Sequence, residues 1–275
     1  MDSDAILIAF LMTLFAGLAT GIGGATVFFS RKLRPAFLSV SLGFSAGVMI
    51  YVSMIEIFPK AKDALSENFS ADTASRLTVI SFFVGIALIM LIDSLIPEAD
   101  NPHELKDFSD PLKEADSGTH RKLLRMGLMS ALAIGIHNFP EGLATFMSAV
   151  HDPRLGFSIA AAIAIHNIPE GIAVAVPVYY ATKNRRRAFG LSMLSGLAEP
   201  VGGLIGFGLL YLFAMQLSAV STVFGVVFAA VAGIMVYISI DELLPTAEKY
   251  GKHHYSIYGL VAGMIVMALS LLLFG

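Results

Sequence analysis

The sequence predicts an all-α integral membrane protein, with eight transmembrane helices in a 3+2+3 arrangement built on inverted repeats. Three observations point there. The apolar residues come in long runs, the runs repeat one another, and the basic residues stay outside them.

Of 275 residues, 56% are apolar and 14% charged, where a soluble domain would carry about 25% charged residues. A spanning helix needs about 20 mostly apolar residues. Eight runs qualify: Ala5–Phe29, Ala36–Phe58, Leu77–Pro97, Met126–Val150, Gly156–Thr182, Ala188–Ala214, Ala219–Leu244 and Ile257–Phe274. They are called spans 1 to 8 below. In lipid the backbone must satisfy its own hydrogen bonds within each segment, so the spans constitute the fold. Residues 1–275 read as a single transmembrane domain. The first span is too long for a cleaved leader and follows Asp2 and Asp4, not a basic stretch. There is no cysteine, which excludes thiolate ligands. The formal charge of −3 says little, and no nucleic-acid partner is expected.

Spans 1 and 2 recur as spans 6 and 7. Gly47 to Pro59 aligns without gaps on Gly233 to Pro245, with Gly, Met, Tyr, Ser, Glu and Pro coinciding. Gly17 to Gly24 aligns on Gly196 to Gly203 in the same way. Span 3 is only faintly echoed in span 8. Partners five spans apart must run in opposite directions, which is the pattern of an alternating-access transporter. Spans 4 and 5 form a second repeat, His137-Asn-Phe-Pro-Glu-Gly142 and His166-Asn-Ile-Pro-Glu-Gly171.

With both termini outside, fourteen of the eighteen basic residues fall on the cytoplasmic side. The positive-inside rule favours that orientation. The polar loop at about 98–122 is then cytoplasmic. Its Pro102, Pro111, Gly118 and many charges read as a flexible segment. His103 and His120 could hold a regulatory metal there, but two histidines so far apart read first as solvated residues.

The carboxylates behave differently from the bases. Glu56, Asp93, Glu141, Glu170, Glu199, Asp241 and Glu242 all lie within spans. Each ionisable group at depth costs a few kcal/mol and tends to mark a pathway. With no Lys or Arg in any span, a carried cation or protons would balance them. Inversion puts Glu56 near the outer mouth and Asp241 and Glu242 near the inner one, as entrance and exit residues. The plainer reading makes them helix-end carboxylates beside Pro59 and Pro245.

In each central motif His and Glu are four residues apart and Asn and Glu three, which puts all three on one helix face. The intervening Pro cannot donate, and so releases the carbonyls of Ile136 and Ile165. The following Gly allows close backbone approach. Two antiparallel spans with central motifs can bring His137, Asn138, Glu141, His166, Asn167 and Glu170 face to face. Imidazole and carboxylate suit zinc, iron, manganese and cobalt; the lack of sulfur argues against copper(I). Glu199 is a third central carboxylate. Its repeat partner is Thr20, so the symmetry is broken where charge is needed. Three glutamates could serve two ions, with Glu141 and Glu170 bridging. Protonation of the three would relieve their repulsion when metal is absent, which makes proton coupling a further expectation.

HNFPEG and HNIPEG on consecutive central spans resemble the signature of the ZIP (Zrt/Irt-like) metal transporters. The likeness covers essentially the whole chain and is greatest to the bacterial ZupT-like branch. The resemblance implies a first metal position at His137, Glu141, His166 and Glu170. It implies a second at Asn138, Asn167 and Glu199, bridged by the same two glutamates. It further implies uptake into the cytoplasm across a prokaryotic inner membrane, with spans 1, 4, 5 and 6 sliding as one bundle. Substrates would be zinc and also iron, manganese, cobalt and cadmium; no cofactor is implied. Members are often dimeric, so a homodimer is expected. The histidine-rich run that many members carry after span 3 is missing here.

Three rivals remain at this stage. An intramembrane metallohydrolase needs a water-activating metal with an open position, but the His-Glu-x-x-His pattern is absent. A passive channel could use the same helices, as could an exporter. The Gly-x-x-x-Gly pairs at Gly43/Gly47, Gly202/Gly206 and Gly259/Gly263 mark close helix contacts, and any of them could form a dimer surface.

Overall fold

The computed structural model describes residues 3–29, 35–94, 117–213, 217–250 and 253–274. Among these residues every regular element is helical. In order they are α1 (Ser3–Phe29), α2 (Pro35–Val52), a π turn π1 (Ser53–Ile57), α3 (Phe58–Ser66), α4 (Ala71–Ser94), α5 (Ser117–His151), α6 (Pro153–Thr182), α7 (Arg185–Gly196), α8 (Ala198–Phe213), α9 (Leu217–Ile238), a second π turn π2 (Ser239–Leu243), α10 (Leu244–Tyr250) and α11 (His253–Phe274). Seven helical rods among the described residues are long and apolar enough to cross a membrane. They are Ser3–Phe29, Ser39–Ser66, Ala71–Ser94, Pro153–Thr182, Arg185–Leu212, Ser221–Glu248 and His254–Leu272. The chain is an all-α membrane protein.

Four details correct the sequence reading. First, Pro59 and Pro245 do not end their spans. Each lies just inside a following helix, α3 or α10, behind a π turn. A proline ring clashes with the carbonyl four residues back, and a wider π turn accommodates that clash without stopping the helix. Glu56, Asp241 and Glu242 therefore sit inside continuous rods and not at helix ends. Second, span 6 is two helices, interrupted at Leu197 between Gly196 and Pro200. Third, the prolines that release the Ile136 and Ile165 carbonyls leave α5 and α6 otherwise unbroken through Pro140 and Pro169. Neighbouring helices can support a proline-bearing helix in this way. Fourth, the end of the expected polar loop is helical, since α5 begins at Ser117. His103 lies outside the described residues, and so does the side chain of His120 in the first turn of α5.

The turn between α6 and α7 is short and well capped. Lys183 takes the left-handed conformation at φ 51°, and its N–H returns to the Tyr179 carbonyl. Asn184 then caps α7 by accepting from the Arg187 N–H at 3.1 Å. At the other end of α6, Asp152 accepts from the Arg154 N–H at 2.9 Å, with Pro153 as the first helical residue.

The helices pack as two groups. In one, α1 lies on α6 and α7, and α5 on α6 and α8. In the other, α2 lies on α11, and α4 on α9. The groups meet mainly through α2 with α6 and α5 with α9.

Glycines set the close crossings, and they expose the internal repeat more fully than the sequence does. A Cβ on Gly17 would strike the Gly196 carbonyl, and a Cβ on Gly196 would strike that of Gly17. Gly47 meets the Leu260 carbonyl as its partner Gly233 meets that of Phe82. Gly263 meets the Phe44 carbonyl as Gly85 meets that of Ala230, and Ala230 is the repeat partner of Phe44. These contacts put Gly85 and Gly263 in register, so span 3 does map onto span 8. The three Gly-x-x-x-Gly pairs are all used within the chain. Gly43 and Gly47 close on α11, Gly259 and Gly263 on α2, and Gly202 and Gly206 on α5. Those glycine faces are therefore not open as dimer surfaces.

Candidate functional site

The two central motifs meet inside the first helix group. α5 brings Asn138 and Glu141, α6 brings His166, Asn167 and Glu170, and Glu199 stands in the first turn of α8, just past the break at Leu197. All six side chains are fully buried. Among the described residues no Lys or Arg is buried with them. His137 lies on α5 next to Asn138, but its side chain falls outside the described residues.

Two pairings link the motifs to each other and to α8. His166 Nε2 lies 3.0 Å from Glu141 Oε1, both side chains being fully buried. On the far side of the ring, Nδ1 lies 3.1 Å from the Ala162 carbonyl. A carbonyl only accepts, so Nδ1 carries the proton there. Nε2 and the carboxylate then need a shared proton or cation between them. A backbone carbonyl on one ring nitrogen is also the usual way a metal-ligating imidazole is aimed. In the second pairing, Asn167 Nδ2 donates to Glu199 Oε1. The same Nδ2 donates to the Ala16 carbonyl at 3.0 Å.

The two asparagines are held symmetrically. Asn138 Nδ2 donates to the Ser195 carbonyl at 3.2 Å and lies 3.5 Å from Thr20 Oγ1. Ser195 and Thr20 are the repeat partners of Ala16 and Glu199. Each amide nitrogen thus spans one backbone carbonyl and one side chain. Each amide oxygen, Asn138 Oδ1 and Asn167 Oδ1, accepts no hydrogen bond among the described residues. Buried amide oxygens are hard ligands of the kind divalent cations take. The motif glycines follow the same symmetry. Gly142 packs on the Glu199 carbonyl and Gly171 on the Thr20 carbonyl, leaving no room for a Cβ. Ser192 ties the assembly further, its one hydroxyl proton lying within reach of the carbonyls of Thr20 at 2.9 Å and Gly171 at 3.1 Å.

Glu170 faces the other helix group. Its Oε1 accepts from Ser45 Oγ on α2 at 3.0 Å. Ser45 was not singled out from the sequence, because α2 carries several serines in an apolar run and none belongs to a motif. With donors distributed in this way, no three His, Asp or Glu side chains among the described residues stand close enough together to hold an ion.

Glu56, Asp241 and Glu242 belong to the second helix group, in the two π turns. Glu56 is half-buried near Lys60. Asp241 hydrogen-bonds Tyr237, with Asp93 nearby, and Glu242 is 8% exposed. π turns recur at functional positions in helices, and here both copies hold a carboxylate.

Comparison with known proteins agrees. The profile described as ZIP Zinc transporter matches residues 97–271. Over 99% of both chains, the protein is 63% identical to the Zinc transporter ZupT of Chlorobaculum parvum. It is 58% identical to that of Lysinibacillus sphaericus and 56% to that of Streptococcus mutans, again over 99% of both chains. The family consists of transporters, which removes the hydrolase rival. A full-length likeness of this degree, on top of paired central motifs whose buried side chains meet across α5 and α6, means that the chain belongs to the ZIP zinc transporter family, in its bacterial ZupT branch.

Proposed function

We propose that this chain carries zinc into the cytoplasm by alternating access, along with iron, manganese, cobalt and cadmium. The observation that supports this best is the set of fully buried carboxylates Glu141, Glu170 and Glu199, the first meeting the His166 imidazole and the last the Asn167 amide, with no Lys or Arg buried beside them among the described residues. The relatives' name, Zinc transporter, points the same way. One ion would be held by His137, Glu141, His166 and Glu170. A second would lie at Asn138, Asn167 and Glu199, with Glu141 and Glu170 shared. Glu56 would serve as the outer entrance, and Asp241 and Glu242 as the inner exit.

In this reading α5, of 35 residues, is the eighth span. The plan is then three, two and three spans in one domain, residues 1–275, with both termini outside a prokaryotic inner membrane and two copies forming a homodimer. The helix group holding the metal residues would slide against the other. The Ser45–Glu170 hydrogen bond crosses between the groups and would break as they slide.

Zinc uptake into proteoliposomes tests the proposal. The wild type should fill vesicles saturably, while the folded double variant His137→Ala, Glu141→Gln should not. Equal filling by both would reject these residues as the site, and non-saturating flux would favour a channel.

A further inference from the structure

A second site, outside the buried centre but sharing a wall with it, opens on the flank of the first helix group. A cavity of about 540 Å³ lies between α5 and α7, a size within the roughly 300–1,000 Å³ common for ligand pockets. Its walls are apolar: Leu128, Leu132 and Phe139 from α5, and Leu191, Leu194 and Ala198 from the other side. Ser195 is the single polar side chain in the lining, and its hydroxyl is already donated to the Ser192 carbonyl at 2.8 Å. The groove therefore offers nothing to water or to an ion, but it suits a hydrocarbon chain.

The end of the groove is different. Lys183, Arg185, Arg186 and Arg187 crowd the turn from which α7 starts. None of the four forms an ion pair among the described residues. Lys183 lies 5.3 Å from the centre of the Tyr180 ring and Arg185 5.7 Å from that of Tyr179. The tyrosines mark the depth where the bilayer meets water. Arg187 stands one helical turn before Leu191 and two before Leu194, on the same stripe of α7. Arg186 and Arg187 are exposed. Cations without an ion-pair partner among the described residues, above a tail-sized apolar slot, match an anionic phospholipid, whose headgroup is drawn to basic residues at the interface.

We propose that this groove binds one anionic phospholipid, with its phosphate on Arg186 and Arg187 and one acyl chain between α5 and α7. The far end of the chain would abut Ser195, whose carbonyl holds the Asn138 amide. The lipid would thus close the wall of the buried centre against the bilayer.

The test is native mass spectrometry of the full chain released from vesicles of equal phosphatidylglycerol and phosphatidylethanolamine, with no metal needed. The wild type should keep one phosphatidylglycerol in preference to phosphatidylethanolamine by about 5-fold if one interfacial cation contributes and about 30-fold if both do. The surface variant Arg186→Gln, Arg187→Gln should lose that preference. Ala131→Phe, which fills the slot, should lose the retained lipid. Two results would overturn the assignment: no preference in the wild type, or an unchanged preference in the doubly neutralised variant. Chain dimers that vanish with Ala131→Phe while no lipid is retained would also overturn it, because a second copy would then be the occupant. Failure here leaves metal uptake untouched, since lipid retention is read without transport.

Discussion

Thr20 and Glu199 occupy equivalent places in the two sequence repeats, and their surroundings match. Each faces an asparagine amide, and each presents its carbonyl to a motif glycine, Gly171 for Thr20 and Gly142 for Glu199. Only the charge differs. The backbone contacts of the repeat are thus fixed by steric need in both halves, because a carbonyl laid on a glycine leaves no alternative. The side chain between them is free to diverge. The asymmetry adds a third buried carboxylate beside Glu141 and Glu170 without disturbing the packing that carries it.

That comparison can be broken most strongly at Glu199. Glu199→Gln should cut saturable zinc uptake by on the order of 100-fold, whereas Thr20→Ala should change it by no more than about 3-fold. Uptake by equal amounts of folded protein measures both, and equal losses would show that the asymmetry carries no function. The glycines should behave in the opposite way, alike in both halves. Gly142→Ala and Gly171→Ala should each destabilise the fold by about 1–3 kcal/mol, as overpacking does, with matched shifts in thermal unfolding. A large cost at one and none at the other would mean that the contacts are not equivalent. A smaller effect is expected at Ser45. Ser45→Ala removes one hydrogen bond to Glu170, worth about 0.5–1.5 kcal/mol. It should alter turnover more than zinc affinity, because it lies between groups and not within one; a change confined to affinity would make Ser45 a ligand-positioning residue instead. The smallest change should come from Arg76→Ala. The Arg76–Asp72 ion pair at 2.9 Å is about three-quarters exposed at both partners, so its loss should cost no more than about 1 kcal/mol.

Much of this was legible in the sequence because it rests on local chemistry. Apolar runs give spans, and the paired motifs single out Asn138, Glu141, His166, Asn167 and Glu170, which with Glu199 are all buried. The rest depends on contacts that sequence does not write down. Ala16 and Ser195 enter the centre through backbone carbonyls, for which any residue type would serve. Gly85 and Gly263 share a role while their neighbours differ, so the third repeat was nearly invisible. The π turns precede Pro59 and Pro245, prolines that ordinarily signal a stop. The break at Leu197 did have a signal, Gly196 with Pro200, but the apolar run across it read as one helix.

The turn at Lys183 and Asn184 sets a mechanical limit. An extended chain reaches at most about 3.6 Å per residue, so two residues between Thr182 and Arg185 form a leash of about 11 Å. Whatever motion the molecule makes, α6 and α7 are yoked at that end, and Ser192 binds them again near Gly171. A pull on either helix is felt by the other, and because Asn167 donates to Glu199 past the break at Leu197, α8 is held to α6 as well.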